Sequence, residues 1–163
     1  MEPVHLRPTT RDDLDYVLAA ELDPDNRPFV VAWTREQHAA ALHDSDLAHL
    51  IIEHRITRDR AGFVILAGLA NPNLSLEFRR IVVTAKRMGI GRAVVRLVKR
   101  FAFRQHGAHR LWLDVKEHNV RARRLYEAEG FIVEGVLREC LRGDSVFASL
   151  VVMSLLASEY HEA

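Results

Sequence analysis

The sequence predicts an α/β (α+β) protein built on one mixed sheet with helices packed against it. Segments with the two-residue alternation of strands stand between segments with helical spacing, in the order βαα, three strands, α, β, α, β, β. The chain has 163 residues, of which 48% are hydrophobic, enough for one compact domain with its own core. We therefore predict a single domain over residues 1–163.

The predicted elements follow from periodicity and from turn and cap residues. Thr10 is predicted to cap the first helix, and Thr34 with Gln37 matches a capping box before the second. Asn119 is placed to open the last helix and Gly130 to end it. The predicted bounds are strand 4–7, helices 11–22 and 34–43, strands 49–54, 62–70 and 75–84, helix 90–105, strand 111–115, helix 119–129, and strands 132–137 and 145–155.

Charge and cysteine content restrict the class of protein. Lys and Arg number 23 and Asp and Glu number 22, so the basic excess that is typical of nucleic-acid binders is absent. One cysteine, Cys140, excludes an internal disulfide and fits a reducing compartment. The first residues lack the pattern of a signal peptide, and no apolar run approaches the ~20 residues that cross a bilayer. We expect a cytoplasmic protein with no nucleic-acid or membrane partner.

The most informative segment joins the strand that ends near Val83 to the helix that begins near Ile90. Gly89 and Gly91 let the backbone approach a ligand closely, and the first amides of a helix point outward at the positive end of its dipole. Lys86, Arg87 and Arg92 are cations at the same place. This combination is typical of a pyrophosphate site.

Two nucleotide motifs fit this segment less well. The dinucleotide fingerprint needs a small residue three positions after Gly91, where Val94 stands. Val94 therefore weakens the dinucleotide interpretation. The interpretation stays open because Asp114 lies in a strand beyond the helix, where this motif expects an acid. The Gly-Lys-Ser/Thr of a P-loop does not occur after these glycines.

The sequence resembles the GNAT acetyltransferase superfamily over essentially its whole length. The family loop Gln/Arg-x-x-Gly-x-Gly/Ala corresponds to residues 86–91, with Lys86 in place of Gln or Arg. A second family stretch, an Asn followed by an Ala and then Leu-Tyr-x-x-x-Gly-Phe, corresponds to residues 119–131. The carboxyl-terminal part resembles the subgroup of ribosomal-protein alanine and spermidine acetyltransferases, although Ser149 stands where relatives often carry an acid. The resemblance implies a GNAT-like, mostly antiparallel central sheet flanked by helices.

The resemblance also implies a cosubstrate, acetyl-CoA, and the residues that hold it; it implies no metal. The main chain at Ile81, Val82 and Val83 would pair with the pantetheine arm. Asn119 and Ala122 would lie on the pantetheine or nucleotide side. Lys86 would be a further donor to the pyrophosphate. The pyrophosphate itself would be held by the backbone amides of the loop and helix start, which belong to Arg87, Met88, Gly89, Ile90, Gly91 and Arg92.

Acetyl transfer to an amine requires a base for the amine proton and an acid for the leaving thiolate. The resemblance assigns the acid to Tyr126. For the base, Glu77 lies in the strand before the loop and Asp114 in the strand after the helix. Both remain candidates, and removal of the proton through water needs neither.

The acceptor is expected to be a primary amine, either a protein N-terminus, a polyamine or another small molecule. The loop over residues 23–31 is the expected acceptor-side element, and its acids Asp23 and Asp25, with Glu21 before them, could attract a cation. A homodimer is possible. The alternative function, of another class, is a CoA-binding sensor without turnover.

Overall fold

The computed structural model describes residues 1–86 and 89–162, and these form one seven-stranded sheet in the order β1-β2-β3-β4-β5-β7-β6. β4 and β5 are parallel to each other, and the remaining neighbours are antiparallel. The mixed, mostly antiparallel GNAT-like sheet is therefore confirmed. The strands are β1 Val4–Pro8, β2 Leu47–His54, β3 Arg60–Ala67, β4 Ser75–Val83, β5 Arg110–Lys116, β6 Ile132–Arg142 and β7 Phe147–Leu156.

Helices pack on both faces of the sheet and produce two apolar cores. One core lies between the sheet and the later helices, with Leu76, Val94, Leu113 and Met153 at its centre. The smaller core lies on the opposite face, where Val17 packs on Ile51, Phe63 and Val82. The helices are α1 Leu14–Leu22, α2 Arg35–Ala41, α3 Ile90–Arg100 and α4 Val120–Ala128.

The predicted helix ends are largely confirmed. The Thr34 hydroxyl accepts from the Gln37 amide (3.2 Å) and the Thr34 amide donates to Gln37 Oε1 (2.8 Å), which completes the capping box of α2. Asn119 Oδ1 accepts from the Ala122 amide at 3.3 Å and opens α4. Gly130, with φ +98°, follows its end because only glycine adopts this conformation without strain.

Two predicted helices change type within their predicted bounds, and the predicted end of β6 is wrong. The first helix starts as a 3₁₀ turn at Arg11–Asp13, and Thr10 donates to the Asp13 carboxylate instead of accepting from the helix amides. Beyond Arg100 the third helix widens to a π-helical turn at Phe101–Gln105. β6 runs five residues past its predicted end to Arg142, because an irregularity near Glu139, with φ +48°, interrupts the alternation that marks a strand.

Candidate active site

A long groove opens where β4 and β5 separate. The two strands pair only from Ser75 to Glu77 with Arg110 to Trp112, although both continue beyond that point. A β-bulge at Arg79, opposite Ile65 and Leu66 of β3, bends β4 where the separation begins. The groove has a volume of about 1350 Å³ and extends between β4, β5 and the starts of α3 and α4. This volume exceeds that of a typical small-molecule site, so a long ligand fits.

The start of α3 forms one end of the groove. Gly89 precedes the helix with φ +69°, and the first helical bond runs from the Ala93 amide to the Gly89 carbonyl at 3.2 Å. The backbone amides before Ala93 therefore have no hydrogen-bond acceptor within the helix, as at any helix start. A Cβ placed on Gly89 would meet no atom of residues 1–86 or 90–162 within 4 Å, so among these residues the space in front of it is open to a ligand.

Cations surround this end of the groove. Arg92 donates to the buried Glu129 of the segment after α4 at 2.7 Å, yet its side chain is still 47% exposed. Arg121 and Arg124 of α4 line the same groove and are exposed. Outward backbone amides, a glycine and several cations are the donor set that an anionic phosphate ligand requires, so the residues present fit a pyrophosphate.

Lys86 takes part in a second contact that the sequence does not indicate. Its Nζ donates to Asn26 Oδ1 at 2.6 Å and to the Asp25 carbonyl at 3.3 Å. On the other side of the groove, Lys116 Nζ donates to the Pro28 carbonyl at 2.9 Å. The segment of residues 23–34 between α1 and α2, here called the α1–α2 segment, is thus attached to both sides of the opening.

The predicted cofactor residues come together, with one gap. Ile81, Val83, Lys86, Gly89, Ile90, Gly91, Arg92, Asn119 and Ala122 all line the groove. Val82 lies between two of them on β4, and its side chain packs in the smaller core. Arg87 and Met88 lie outside the described residues.

Tyr126 lies in the wall of the groove. Its ring is 6% exposed and packs edge-on against Phe78 at 6.3 Å and Phe131 at 5.8 Å between ring centres. Burial raises the pKa of the Tyr126 hydroxyl well above its usual range. The hydroxyl therefore keeps its proton at neutral pH and is available as a donor.

Glu77 and Asp114 lie on the two sides of the separation. Both side chains point away from the larger core, because their strand neighbours Leu76 and Leu113 point into it. Glu77 Oε2 accepts from Arg79 Nη2 at 2.8 Å and Nε at 3.2 Å. Asp114 forms no ion pair among residues 1–86 and 89–162. Partial loss of hydration within the groove, and then the charge of Glu77, raise the pKa of Asp114, while the charge of Arg79 lowers it.

A buried polar cluster beneath the α1–α2 segment was not predicted from the sequence. Glu21, expected as an exposed acid near the acceptor, is 1% exposed and bonds to His38 and Arg80. Its partners lie 17 and 59 positions away, so no local pattern could have indicated the contact. No group of three His, Cys, Asp or Glu side chains in the described part of the chain is placed to hold a metal ion.

The comparison with protein families decides the family of the chain. Residues 8–131, well over half of the sequence, match the acetyltransferase (GNAT) family. The chain belongs to the acetyltransferase (GNAT) family. It is an N-acetyltransferase that uses acetyl-CoA as the acetyl donor to an amine.

Solved structures of this family have the same fold. The spermidine N-acetyltransferase SpeG from Vibrio cholerae in complex with CoA and spermine is 22% identical, with a TM-score of 0.88 over 98% of this chain and 99% of that one. A dodecameric structure of the same enzyme is 22% identical with a TM-score of 0.83, over 98% and 97% of the two chains. At this identity the likeness shows the fold. A comparison with curated protein sequences gave no match.

Proposed function

We propose that this protein acetylates a primary alkyl amine by direct attack on acetyl-CoA, with both substrates bound in the groove between β4 and β5. The observation that carries the proposal is the placement of Tyr126 in the wall of that groove and of Glu77 and Asp114 on its two sides. Since all seven strands join one sheet, we further propose that residues 1–163 act as one catalytic domain.

The cosubstrate half of the groove would hold acetyl-CoA, which supplies a reactive acetyl thioester. The backbone of Ile81 to Val83 belongs to the part of β4 that has lost its β5 partner, so its outward groups are available to an extended arm. The amides at the start of α3 would receive the pyrophosphate, and Asn119 and Ala122 would contact the ligand from α4. The open space in front of Gly89 supports this placement.

Tyr126 is proposed as the general acid for the leaving thiolate. A donor must hold its proton until the thiolate forms; a tyrosine hydroxyl does so at neutral pH, and burial raises the pKa of Tyr126 further. The aromatic packing with Phe78 and Phe131 fixes the ring.

Asp114 is proposed as the base, ahead of Glu77. One oxygen of Glu77 already accepts two hydrogen bonds from Arg79. Asp114 has no such partner in the described ranges, and its pKa is raised above the ordinary aspartate value, which makes its carboxylate a stronger base than an ordinary aspartate. Glu77 would then support Asp114 through its charge.

The acceptor is identified by measuring the release of free thiol from acetyl-CoA in the presence of spermidine, an alanine-terminated peptide, a small alkyl amine or an arylamine. We expect thiol release with at least one primary alkyl amine and an acetylated product by mass spectrometry. Binding of acetyl-CoA without turnover of any amine would favour the alternative, a CoA-binding sensor.

We also propose that the protein forms a homodimer through β6. Apolar side chains along this edge strand are exposed: Ile132, Val133, Val136 and Leu137. An unpaired edge with exposed apolar residues favours association with a second copy. Light scattering should give a mass of two chains for the wild type. Val136→Glu should give the mass of one chain, whereas Ile56→Glu, in the β2–β3 turn, should still give the mass of two. A wild-type monomer would exclude the dimer.

The expected cytoplasmic location stays a proposal. Its support is the exposed free thiol of Cys140, which a reducing compartment protects from oxidation. No helix in the described residues is both long and apolar enough to cross a membrane.

A further inference from the structure

A buried chain of hydrogen bonds lies beneath the α1–α2 segment. Thr9 Oγ1 is 2.8 Å from His49 Nδ1, and His49 Nε2 is 3.0 Å from His38 Nδ1. His38 Nε2 is 2.6 Å from Glu21 Oε1. All four side chains are buried, and none belongs to the reaction described above. The chain connects the end of β1 with β2, α2 and α1.

The hydrogen bonds of this chain pair all four ring nitrogens of His38 and His49. The Glu21 carboxylate can only accept, so His38 Nε2 donates to it. The donor in each of the other two bonds follows from which ring nitrogens carry protons, and the observed distances are the same for either direction. The one bond whose direction is fixed is therefore the one from His38 to Glu21.

The Glu21 end of this chain reaches the groove through Arg80. Glu21 Oε2 accepts from Arg80 Nη1, and the Arg80 side chain lines the groove. Arg80 Nη2 donates to the Val31 carbonyl at 2.5 Å, and its guanidinium lies 4.8 Å from the centre of the Trp33 ring. The Trp33 amide donates to Glu21 Oε1 at 3.3 Å. Glu21 and Arg80 together hold residues 31–33 against β4.

Stability alone does not account for this arrangement. The Glu21 side chain is 1% exposed and the Arg80 side chain 9%, so both charges have lost most of their hydration. Removing a charge pair from water costs about as much as its attraction returns, and apolar replacements are often as stable. What an apolar pair could not do is direct two hydrogen bonds and a cation onto residues 31–33.

We propose that His38, acting through Glu21 and Arg80, is a positioning residue of the acceptor site. This inference rests on the proposed function, together with the expectation from the sequence that the loop over residues 23–31, part of the α1–α2 segment, lies on the acceptor side. His38 orients Glu21, Glu21 orients Arg80, and Arg80 sets the place of Val31 and Trp33. Loss of the His38 donor therefore weakens acceptor binding and leaves acetyl-CoA binding and the chemical step unchanged.

Three variants test this proposal. His38→Leu removes the donor to Glu21, and we expect the KM of the amine to rise about tenfold or more, since a hydrogen bond to a charged group is lost. We expect kcat and the Kd of acetyl-CoA to change less than about twofold. His38→Gln keeps a nitrogen donor for Glu21, and most of the wild-type KM should return. His43→Leu, at an exposed histidine just after α2, is the matched control and should behave as wild type.

A second measurement does not depend on turnover. Hydrogen exchange should be faster for the Trp33 amide in His38→Leu than in wild type, because that amide donates to Glu21. Peptides from α3 should exchange at the wild-type rate. If His38→Leu does not fold, Arg80→Lys keeps the charge but loses the donor to Val31 and should show the same selective rise in KM.

Two results would overturn the proposal. An unchanged amine KM with unchanged Trp33 exchange would show that His38 does not position the segment. Equal losses for amine and acetyl-CoA, with no recovery in His38→Gln, would show a purely structural role. Absence of turnover in the wild type would contradict the proposed function instead, and the exchange measurement would still decide the role of His38.

Discussion

At the scale of single residues, Tyr126 and Asp114 share a groove but are protonated differently for different reasons. Tyr126 is enclosed by aromatic rings; its hydroxyl holds its proton at neutral pH as any tyrosine does, and burial raises its pKa further. Asp114 lies in the groove, where partial loss of hydration and the charge of Glu77 raise the pKa of its carboxyl group. One group is thus suited to donate a proton and the other to accept one, as acid–base catalysis requires.

Replacing Tyr126 by phenylalanine removes only the hydroxyl. We expect kcat to fall on the order of 10²-fold, which is typical for loss of a general acid. The ring packing against Phe78 stays, so the Kd of acetyl-CoA and the melting temperature should remain near the wild-type values. Steady-state kinetics with calorimetric titration measures both. A variant that turns over at the wild-type rate would refute the acid role.

Asp114 should produce an acid limb in the pH profile of kcat/KM for the amine. A base works when it is deprotonated, so activity is lost as the pH falls through its pKa, and the raised pKa moves that loss above the usual aspartate range. Asp114→Asn should remove the limb and Glu77→Gln should not. Acceptors of different amine pKa serve as the control, because a limb that moves with the acceptor belongs to the amine.

At the scale of elements, the start of α3 and the separation of β4 from β5 form the site. A helix start supplies outward amides and partial positive charge. The bulge at Arg79 ends the pairing of the strands and leaves β4 backbone available. Neither feature alone makes a site; together they suit a ligand with an anionic end and an extended arm.

The glycines before and in α3 give a matched pair of variants. A side chain at Gly89 would project into open space and would be strained at φ +69°, so Gly89→Val should raise the Kd of acetyl-CoA at least about tenfold. At Gly91 a Cβ would meet only Leu125 Cδ2 at an ordinary 3.5 Å, so Gly91→Ala should bind nearly as wild type. Equal affinities for both variants would count against the assigned end of the groove.

Local signals predicted the elements, and long-range contacts account for what they missed. Thr34 bonds to Gln37 and Asn119 bonds to Ala122, each three residues further along the chain. Because these partners are close in sequence, the starts of the two helices could be predicted. The bulge at Arg79 depends on the register with β3. Lys86 was predicted as a phosphate donor, and its contact with Asn26 joins residues 60 positions apart. Such pairs leave no periodic trace in the sequence.

At the scale of the whole molecule, the buried chain of hydrogen bonds from Thr9 through His49 and His38 to Glu21 joins the end of β1 with β2, α2 and α1. Burial, and then His38, lower the pKa of His49 from 6.5 to about 4. The unfolded chain therefore binds more protons between these values, and stability is fully present above pH 6.5 and is lost as the pH falls toward 4. The loss amounts to roughly 3 kcal/mol of unfolding free energy.

Urea unfolding of wild type and His49→Asn across this pH range measures that term. We expect wild type to be more stable at pH 7 and the difference to shrink toward pH 4. His43→Asn, at an exposed position, should follow wild type throughout. A difference that stays constant with pH would show that His49 does not titrate in this range.

The groove between β4 and β5 is expected to bind acetyl-CoA. A thermal-shift titration with acetyl-CoA, CoA and NAD side by side measures this binding, because a ligand that binds the folded state raises its melting temperature. We predict a concentration-dependent rise with both CoA compounds and none with NAD. No rise with either CoA compound at saturating concentration, or a rise with NAD alone, would show that the groove does not bind acetyl-CoA.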